Sequence, residues 1–376
     1  TSWGINNGSV SSNIVVRNSI FELTHAQINL NWTKNVIIEN NIFRYSLGDH
    51  IIHSYNNIPS NEQTPVTNVV IRNNKLLFAG DTAIDIISLH GGWVIEGNYI
   101  ETAGNAMLLF SQTETDLVIN NTIKQYAGAS NGITTGYEYS ADPGAIIIGN
   151  RIYNSPGVTA RYIINNYMEN VVNINTFPGG GSDWYIVGNI IKNMLYGIRC
   201  GGLYNVGGCT GVIANNKIYM YGPAGPMGGA ILDFRGPIYN TLIADNYIEG
   251  PPLSTSLPGG LGCNGYYMPY GILLKQYSSS QGNIITGNTI VNAKCAYPLQ
   301  NEVDICMCGG FTSACGTVWY PIQVVNSNNV IRDNVIYAVN GDYNYGNLEP
   351  IPPGILSLSL SPGTAVQNPY PFDLEL

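Results

Sequence analysis

The chain has 376 residues, and its 24 acidic residues outnumber its 15 basic residues, which gives a formal net charge of −9. This charge argues against a nucleic-acid-binding protein, because such binding depends on Lys and Arg contacts to phosphates. A hydrophobic content of 44% is too high for a disordered chain, yet no run of 18 apolar residues predicts a membrane span. The 44 glycines, 20 prolines and only 10% charged residues favour a turn-rich β protein.

A short phrase repeats from the first rung to residue 334, with the consensus apolar-apolar-x-(Gly/Asn/Asp)-Asn-x-apolar. The first copy has Ser19 in the place of Asn, and the early spacings are 22, 33, 24 and 23 residues. The spacing of 16 between Asn150 and Asn166 is too short for a full turn, which predicts that one of these copies is a false match. The repeated residues are Asn41, Asn74, Asn98, Asn121, Asn150, Asn166, Asn189, Asn216, Asn246, Asn288 and Asn334.

A second element follows most copies of the phrase. A small residue and an Asn or Asp form a corner before a short apolar strand, as in Gly48-Asp-His-Ile51 and Gly80-Asp-Thr-Ala-Ile84. Short strands with a period of two and a coil of about 23 residues indicate parallel rungs stacked about 4.8 Å apart. Through its repeated apolar-x-x-Asn-x-Ile motif, the chain resembles the right-handed parallel β-helix proteins of the pectate-lyase-like superfamily over nearly all its length. The resemblance implies an all-β, single-stranded solenoid of roughly twelve coils, with longer loops in the C-terminal half.

The repeated Asn is assigned a structural role. A left-handed corner tolerates Asn and Gly, and stacked amides can form a hydrogen-bonded ladder inside the coil. We expect the β-helix to span residues 1–349 and a capping tail to span residues 350–376. The first rung is under way by Trp3 with no capping helix before it. Either an N-terminal part is therefore missing, or another chain covers the open end.

All seven cysteines lie in the second half of the chain, in Gly-rich surroundings. Loop cysteines in a chain with so few Lys residues favour disulfides in an extracellular protein. A zinc knot is disfavoured because all four histidines precede residue 91, far from these cysteines in the sequence. Cys200 and Cys209 enclose a short loop and are predicted to pair. A second pair is expected among Cys295, Cys306, Cys308 and Cys315. Three matches to the glycosylation pattern indicate a glycoprotein only weakly, because Asn is so frequent.

The densest polar cluster lies in the second and third rungs. The candidate catalytic residues are Asp85, Asp49, Asp81 and His50. Paired carboxylates about 5–10 Å apart suit glycoside hydrolysis, and His beside a carboxylate suits proton transfer. This interpretation requires Asp85 to point outward, whereas an Asp85 buried against core side chains would favour a non-catalytic protein. The candidate substrate-binding residues are His53 and His90 in these rungs and Tyr137, Glu138 and Tyr139 in a later loop, where aromatic rings beside a carboxylate suit sugar stacking.

The alternative for this cluster is structural. Asp49, Asp81, Asn105 and Asn131 are predicted to share one corner in four rungs, which is typical of turn residues. Tyr137–Asp142 then forms an ordinary insertion loop. The motifs of polygalacturonases, pectate lyases and mannuronan epimerases are absent or only partly matched, so no catalytic residue of the superfamily transfers to this chain. A further candidate is an outward row of Arg199, Asp233 and Lys275.

Two function classes remain open. Sparse charge, missing motifs and the uncapped start favour an extracellular surface, fibre or spike protein that binds glycans and self-associates through an open end. The record of the superfamily favours a polysaccharide hydrolase or lyase that acts on an extracellular glycan through the Asp49–His90 region. We predict no metal site and no cofactor, with Ca²⁺ left open. The expected partner is a polysaccharide or glycan, without nucleic acid and without a membrane span.

Overall fold

The structure is a computed structural model, and every regular element in its described residues is a β-strand. No helix in these residues is long and apolar enough to cross a membrane. The chain divides into two compact units, Thr1–Gly180 and Gly181–Leu376. The described residues are 3–6, 11–54, 66–87, 90–110, 114–126, 131–135, 144–175, 183–194, 196–200, 208–220, 229–232, 236–250, 270–274, 280–291, 322–324, 329–337, 357–361 and 364–368.

The described part of the first unit contains short strands that follow one another without helical connections. They are β1 (Trp3–Asn6), β2 (Ser11–Arg17), β3 (Ile20–Glu22), β4 (Ala26–Asn29), β5 (Thr33–Glu39), β6 (Ile42–Arg44), β7 (Ile52–Ser54), β8 (Val66–Arg72), β9 (Lys75–Leu77), β10 (Thr82–Ile86), β11 (His90–Gly91), β12 (Val94–Glu96), β13 (Tyr99–Thr102), β14 (Asn105–Leu109), β15 (Asp116–Ile119), β16 (Thr122–Gln125), β17 (Ile133–Thr135), β18 (Ala145–Ile148), β19 (Arg151–Tyr153), β20 (Val158–Thr159), β21 (Tyr162–Ile164), β22 (Tyr167–Glu169) and β23 (Ile174–Asn175).

Each coil of this unit gives one strand to each of three sheets. Sheet A has the order β1-β4-β7-β10-β14-β17-β20-β23, sheet B the order β2-β5-β8-β12-β15-β18-β21, and sheet C the order β3-β6-β9-β13-β16-β19-β22. The additional strand β11 pairs with β8 of sheet B. All these pairings are parallel, which confirms the predicted solenoid of stacked rungs.

The second unit repeats this pattern with strands β24 to β37. Its sheet A strands have the order β26-β29-β32-β35, its sheet B strands β24-β27-β30-β33-β36, and its sheet C strands β25-β28-β31-β34-β37. The tail contains an antiparallel hairpin of β38 and β39, whose predicted capping role stays a prediction. The strands are β24 (Asp183–Val187), β25 (Ile190–Lys192), β26 (Ile198–Arg199), β27 (Cys209–Ala214), β28 (Lys217–Tyr219), β29 (Gly229–Leu232), β30 (Ile238–Ala244), β31 (Tyr247–Glu249), β32 (Tyr270–Leu274), β33 (Ile284–Thr286), β34 (Thr289–Val291), β35 (Ile322–Val324), β36 (Val330–Arg332), β37 (Val335–Tyr337), β38 (Ser357–Ser361) and β39 (Thr364–Asn368).

The repeated Asn residues form the predicted buried ladder between sheets B and C, and none is more than 9% exposed. The Asn74 side-chain amide donates to Asn98 Oδ1 at 3.0 Å and to the Ile38 carbonyl at 2.8 Å. The left-handed corner, however, is formed by the residue before each repeated Asn, such as Asn73 with φ 55° and Gly97 with φ 61°. The repeated Asn residues therefore lie buried at the coil corners, as predicted, but the left-handed backbone belongs to the preceding residue, and that part of the prediction was wrong.

The short spacing between Asn150 and Asn166 is a complete coil. The Asn150 side-chain amide donates to Asn166 Oδ1 at 3.0 Å, as in the other ladder steps. Sixteen residues suffice because β20 has only two residues and β21 only three. The expectation that one of these copies is a false match was therefore wrong.

The interior of each coil is filled by apolar side chains from all three sheets. In sheet B the inward column includes Ile38, Ile71 and Ile95, all with no exposed surface. Burying each such side chain stabilises the fold by roughly 1.5–3 kcal/mol relative to leaving it in water. Residues that alternate with these point outward, so the outer face of each sheet is the place where a function can differ from rung to rung.

The predicted disulfide between Cys200 and Cys209 is present, with Cα atoms 5.8 Å apart. A loop of nine residues closed in this way contributes on the order of 2–3 kcal/mol to stability. Cys263, Cys295, Cys306, Cys308 and Cys315 lie outside the described residues.

Candidate functional site

The cluster predicted from the sequence lies on the outer face of sheet A, where β7 and β10 are neighbours. Strand register pairs His53 with Asp85, and the next residues in the same column are Leu108 and Thr134. Leu108 and Thr134 are partly exposed while their strand neighbours are buried, so this column faces outward. A carboxylate and an imidazole therefore occupy positions that later rungs fill with ordinary outer-face residues.

The corner before β7 brings Asp49 and His50 to the same face. Gly48 adopts φ 105°, a conformation that side chains rarely tolerate, and the Ser46 hydroxyl lies 2.8 Å from the Asp49 carbonyl oxygen. Gly80 lies directly against Gly48 in the next coil, where an added Cβ would come within 2.4 Å of the Gly48 nitrogen. The two glycines thus allow consecutive corners to stack closely enough for their carboxylates to share one site.

Corner alignment in later rungs differs from the prediction. The Asp81 amide donates to the Asp49 carbonyl, so these two residues do stack. Strand register, however, pairs Asn105 with Thr82, so Asp81 is adjacent to Gly104 in the next coil. Asp49, Asp81 and Asn105 therefore do not share one corner position, because the Asn lies one residue further along its coil.

Asp85 lies at the base of the cluster. Its Oδ2 atom is 3.1 Å from His50 Nε2 and 3.3 Å from His53 Nδ1. The two imidazole rings stack with centroids 4.5 Å apart and planes 10° from parallel. The Asp85 side chain is only 2% exposed, while the two histidines are 12% and 13% exposed. Asp85 thus belongs to the outer face, as predicted, but the imidazoles cover it from solvent.

Two more exposed carboxylates flank the same imidazole. Asp49 Oδ1 lies 2.7 Å from His50 Nε2, and Asp81 Oδ2 lies 4.0 Å from His50 Nδ1. Their side chains are 22% and 58% exposed. Because they approach opposite sides of one ring, these two oxygens are no more than about 9 Å apart, within the range of glycosidase carboxylate pairs.

His25 is a member of the cluster that the sequence interpretation missed. Its Nδ1 atom lies 3.0 Å from Asp49 Oδ2, and its side chain is 37% exposed. The signal was present in the coil period, because His25 precedes Asp49 by 24 residues and so falls on the same corner one coil earlier.

Burial lowers the pKa of His50 below its ordinary value of 6.5. The neighbouring His53 adds to this decrease, whereas Asp85, Asp49 and Asp81 oppose it. Desolvation is the largest contribution, so the imidazole of His50 is neutral at physiological pH.

His90 lies apart from the cluster. It is fully buried in β11, and its Nε2 atom lies 2.8 Å from Asp116 Oδ2. Asp116 Oδ1 accepts a hydrogen bond from the Trp93 backbone amide at 2.8 Å, and the His90 and Trp93 rings meet edge to face. His90 is therefore an interior residue, and none of its surface is accessible to a substrate.

The other two candidate sites receive less support. Tyr137, Glu138 and Tyr139 lie outside the described residues. Of the predicted row, Asp233 and Lys275 also lie outside the described residues, and the register pairs Arg199 with Leu232, which in turn pairs with Leu273.

Among the described residues, His50, His53 and Asp85 offer three ligand atoms within 4.8 Å of one another, so they could hold a metal ion. Comparison of the chain with protein-family models, curated proteins and solved structures finds no match. The parallel β-helix is therefore established by the strand topology alone, and the function must be inferred from the cluster itself.

Proposed function

We propose that the protein is a polysaccharide hydrolase or lyase that acts on an extracellular glycan at the cluster on the outer face of sheet A. One observation carries the proposal: Asp49 and Asp81 are accessible carboxylates on opposite sides of one imidazole. The outer face of stacked rungs is long enough to hold several sugar units, since each rung adds about 4.8 Å. A site in which two carboxylates reach the same sugar residue suits cleavage of a glycosidic bond.

Exposure separates the roles of the three carboxylates. Asp49 and Asp81 can reach a substrate and would act as the acid and base of the reaction. Asp85 is too deeply covered to touch a sugar, so its role is to hold His50 and His53 in place. This division replaces the expectation of Asp85 as a directly acting catalytic residue.

The charge of the cluster favours a neutral glycan over an acidic one. In the described residues, the ion pairs of Asp49, Asp81 and Asp85 are all with histidines, and His50 is neutral at physiological pH. No Lys or Arg of the described residues pairs with these three carboxylates, so the site would repel a uronic acid polymer. This favours the hydrolase over the lyase, because β-elimination by a lyase requires a uronate.

The test is product release from a panel of neutral and uronate polysaccharides. We expect new reducing ends from a neutral glycan, and a loss of at least about 100-fold in turnover for Asp49→Asn and for Asp81→Asn. Glu169→Gln is the matched control, because Glu169 is an outer-face carboxylate of sheet C that contacts Tyr167. The proposal is wrong if no polysaccharide is cleaved, or if Asp81→Asn cleaves as fast as the control.

A second candidate, the surface, fibre or spike protein, is favoured by the outer face of sheet B. One outward column of this sheet is apolar through seven coils of the first unit: Val15, Ile37, Val70, Val94, Leu117, Ile146 and Tyr162. The flanking column begins with Arg17, Glu39, Arg72 and Glu96, whose signs alternate, and Arg72 pairs with Glu39 at 2.7 Å within the chain.

Sedimentation of the full chain tests this candidate. Self-association through sheet B predicts a species larger than 40.7 kDa that becomes monomeric in an Ile37→Lys/Val70→Lys variant. Lys75→Glu on sheet C is the control and should leave the assembly unchanged. A wild-type chain that stays monomeric at high concentration excludes this role for the apolar column.

A further inference from the structure

Three side chains of the cluster place ligand atoms at the spacing of a metal site. Asp85 Oδ2 lies 3.1 Å from His50 Nε2 and 3.3 Å from His53 Nδ1, and all three atoms fall within 4.8 Å of one another. Ligand atoms at about 2.0–2.1 Å from a tetrahedral zinc ion are about 3.4 Å from each other. The carboxylate is therefore spaced from each imidazole as two ligands of one ion would be, while one ligand atom from each of the three residues lies within 4.8 Å of the others.

A second observation at the same place is the Asp85 Oδ1 atom. This oxygen is buried in a side chain that is only 2% exposed, and it has no hydrogen-bond partner. Most buried polar atoms in proteins are hydrogen-bonded, so an unsatisfied carboxylate oxygen beside two imidazoles requires an explanation. A bound cation would compensate the buried charge of this carboxylate.

We propose that His50, His53 and Asp85 bind one divalent transition-metal ion of the zinc class. Two imidazoles and one carboxylate are a donor set that suits zinc, cobalt or ferrous iron. Ca²⁺, in contrast, takes six to eight oxygen ligands, and imidazole nitrogens do not supply them. Asp49 and Asp81 lie within 4.0 Å of His50 and add negative charge that attracts a cation.

Binding requires one adjustment of the side chains. The His50 and His53 rings are within 10° of parallel, whereas an ion must lie near the plane of each ring to meet its nitrogen lone pair. Rotation of one ring about its Cβ–Cγ bond achieves this, and this torsion is broad in imidazole side chains. Both rings are 12–13% exposed, so the ion would keep an open position toward solvent, as catalytic metal sites do.

The metal proposal does not rest on the proposed glycan chemistry. The three ligands are defined by their own geometry, and metal binding can be measured without any polysaccharide. A metal site without cleavage and cleavage without a metal site are therefore separate, observable results.

Titration of the full chain, purified without a histidine tag, with ZnCl₂, CoCl₂ and CaCl₂ tests the proposal. We expect one Zn²⁺ or Co²⁺ per chain by calorimetry, visible absorption bands of tetrahedral Co²⁺, and no comparable binding of Ca²⁺. Asp85→Asn and His53→Thr should each weaken Zn²⁺ binding at least 100-fold. Glu169→Gln is the matched control, because Glu169 is an outer-face carboxylate of sheet C that accepts a hydrogen bond from Tyr167, and it should keep the wild-type affinity.

Three results would overturn the proposal. They are a wild-type chain that binds neither Zn²⁺ nor Co²⁺, a His53→Thr variant that binds as tightly as wild type, and a stronger affinity for Ca²⁺ than for Zn²⁺. The His53→Thr variant keeps the test decisive if Asp85→Asn does not fold, because Thr134 already occupies the same column three rungs later. Equal melting temperatures of wild type and His53→Thr without metal, and different ones with Zn²⁺, would support it.

Discussion

Polar side chains of the first unit occupy two regions, the interior of the coils and the outer face of sheet A, and they are satisfied differently in each. Inside, the amide of Asn98 donates to the Ile71 carbonyl and to Asn121 Oδ1, and both oxygens of Asp116 have partners in the core. Outside, Asp85 is equally buried but keeps one oxygen without a hydrogen bond. Two buried carboxylates a few coils apart thus have different surroundings.

This difference separates residues that maintain the fold from residues that are available for chemistry. Asn98 belongs to a ladder that recurs along the coils, and Asp116 completes its hydrogen bonds within the core, which is what stability requires. Among the described residues the outer cluster occurs once, in a column that other rungs fill with Leu108 and Thr134. A polar arrangement that the fold does not need is the better candidate for function.

The largest effect is expected from breaking the interior pair of His90 and Asp116. Asp116→Ala removes the carboxylate partner of a fully buried imidazole and the acceptor of the Trp93 amide, so we expect a loss of about 3–5 kcal/mol in unfolding free energy. Asp116→Asn keeps an acceptor for Trp93 and should lose less. Urea unfolding followed by Trp fluorescence measures both, and a loss below about 1 kcal/mol for the Ala variant would remove the distinction between the two regions.

Interrupting the amide ladder is expected to have the next largest effect. Asn98→Ala removes the acceptor of Asn74 and the donor to the Ile71 carbonyl and to Asn121, all of them buried, so we expect a loss of about 2–3 kcal/mol. Asn120→Gly is the matched control at a left-handed corner with φ 54°, where Gly suits the backbone, and it should lose less than about 1 kcal/mol. Equal losses in the two variants would contradict the separate roles of ladder and corner.

A smaller effect is expected when the outer cluster is converted to the residues of later rungs. His53→Thr/Asp85→Leu gives this column the residue types of Thr134 and Leu108, and it removes a buried charge. We expect stability to stay within about 1 kcal/mol of wild type or to rise, because replacing buried ion pairs by apolar residues is often neutral or stabilising. A loss above about 3 kcal/mol in the same urea assay would mean that the cluster supports the fold.

The sequence predicted the coils well because each one repeats the same requirement. An inward Asn, flanked by apolar residues, must recur wherever sheets B and C meet, and the phrase around Asn74 is therefore visible without a structure. The corner residue was assigned wrongly because Asn73 and Asn74 are the same residue type, and only the backbone shows that φ is positive at the first.

Part of the site was also predicted correctly, because that part follows the coil repeat. Asp49 and Asp81 stack because their coils align at Gly48 and Gly80, and this alignment is visible in the sequence. His90 could not be placed in the same way, because its burial depends on Asp116, which lies 26 residues later and carries no repeat signal. The coverage of Asp85 by two imidazoles likewise depends on side-chain packing, which the coil period does not encode.

The smallest effect is expected at an outer-face pair that has complete hydrogen bonds. The Tyr99 hydroxyl donates to Glu101 Oε2 at 2.6 Å, and Tyr126 also donates to this carboxylate. The bond to Glu101 raises the pKa of Tyr99 to about 12, from an ordinary value of 10.0, so the folded state favours the protonated phenol. Its contribution to stability is therefore present below pH 10 and is lost as the pH rises toward 12.

Tyr99→Phe should consequently lower the unfolding free energy at neutral pH by less than about 1 kcal/mol, because Tyr99 and Glu101 lie on the outer face and are partly exposed to solvent. The difference between variant and wild type should shrink above pH 10, and ultraviolet titration of the variant should lose one phenol that ionises near pH 12. Tyr167, whose bond to Glu169 also raises its pKa to about 12, provides the internal control in the same spectrum. A stability loss as large as that of Asp116→Ala would show that outer-face hydrogen bonds support the coils as strongly as interior ones, and the inference from the unsatisfied Asp85 oxygen to function would then fail.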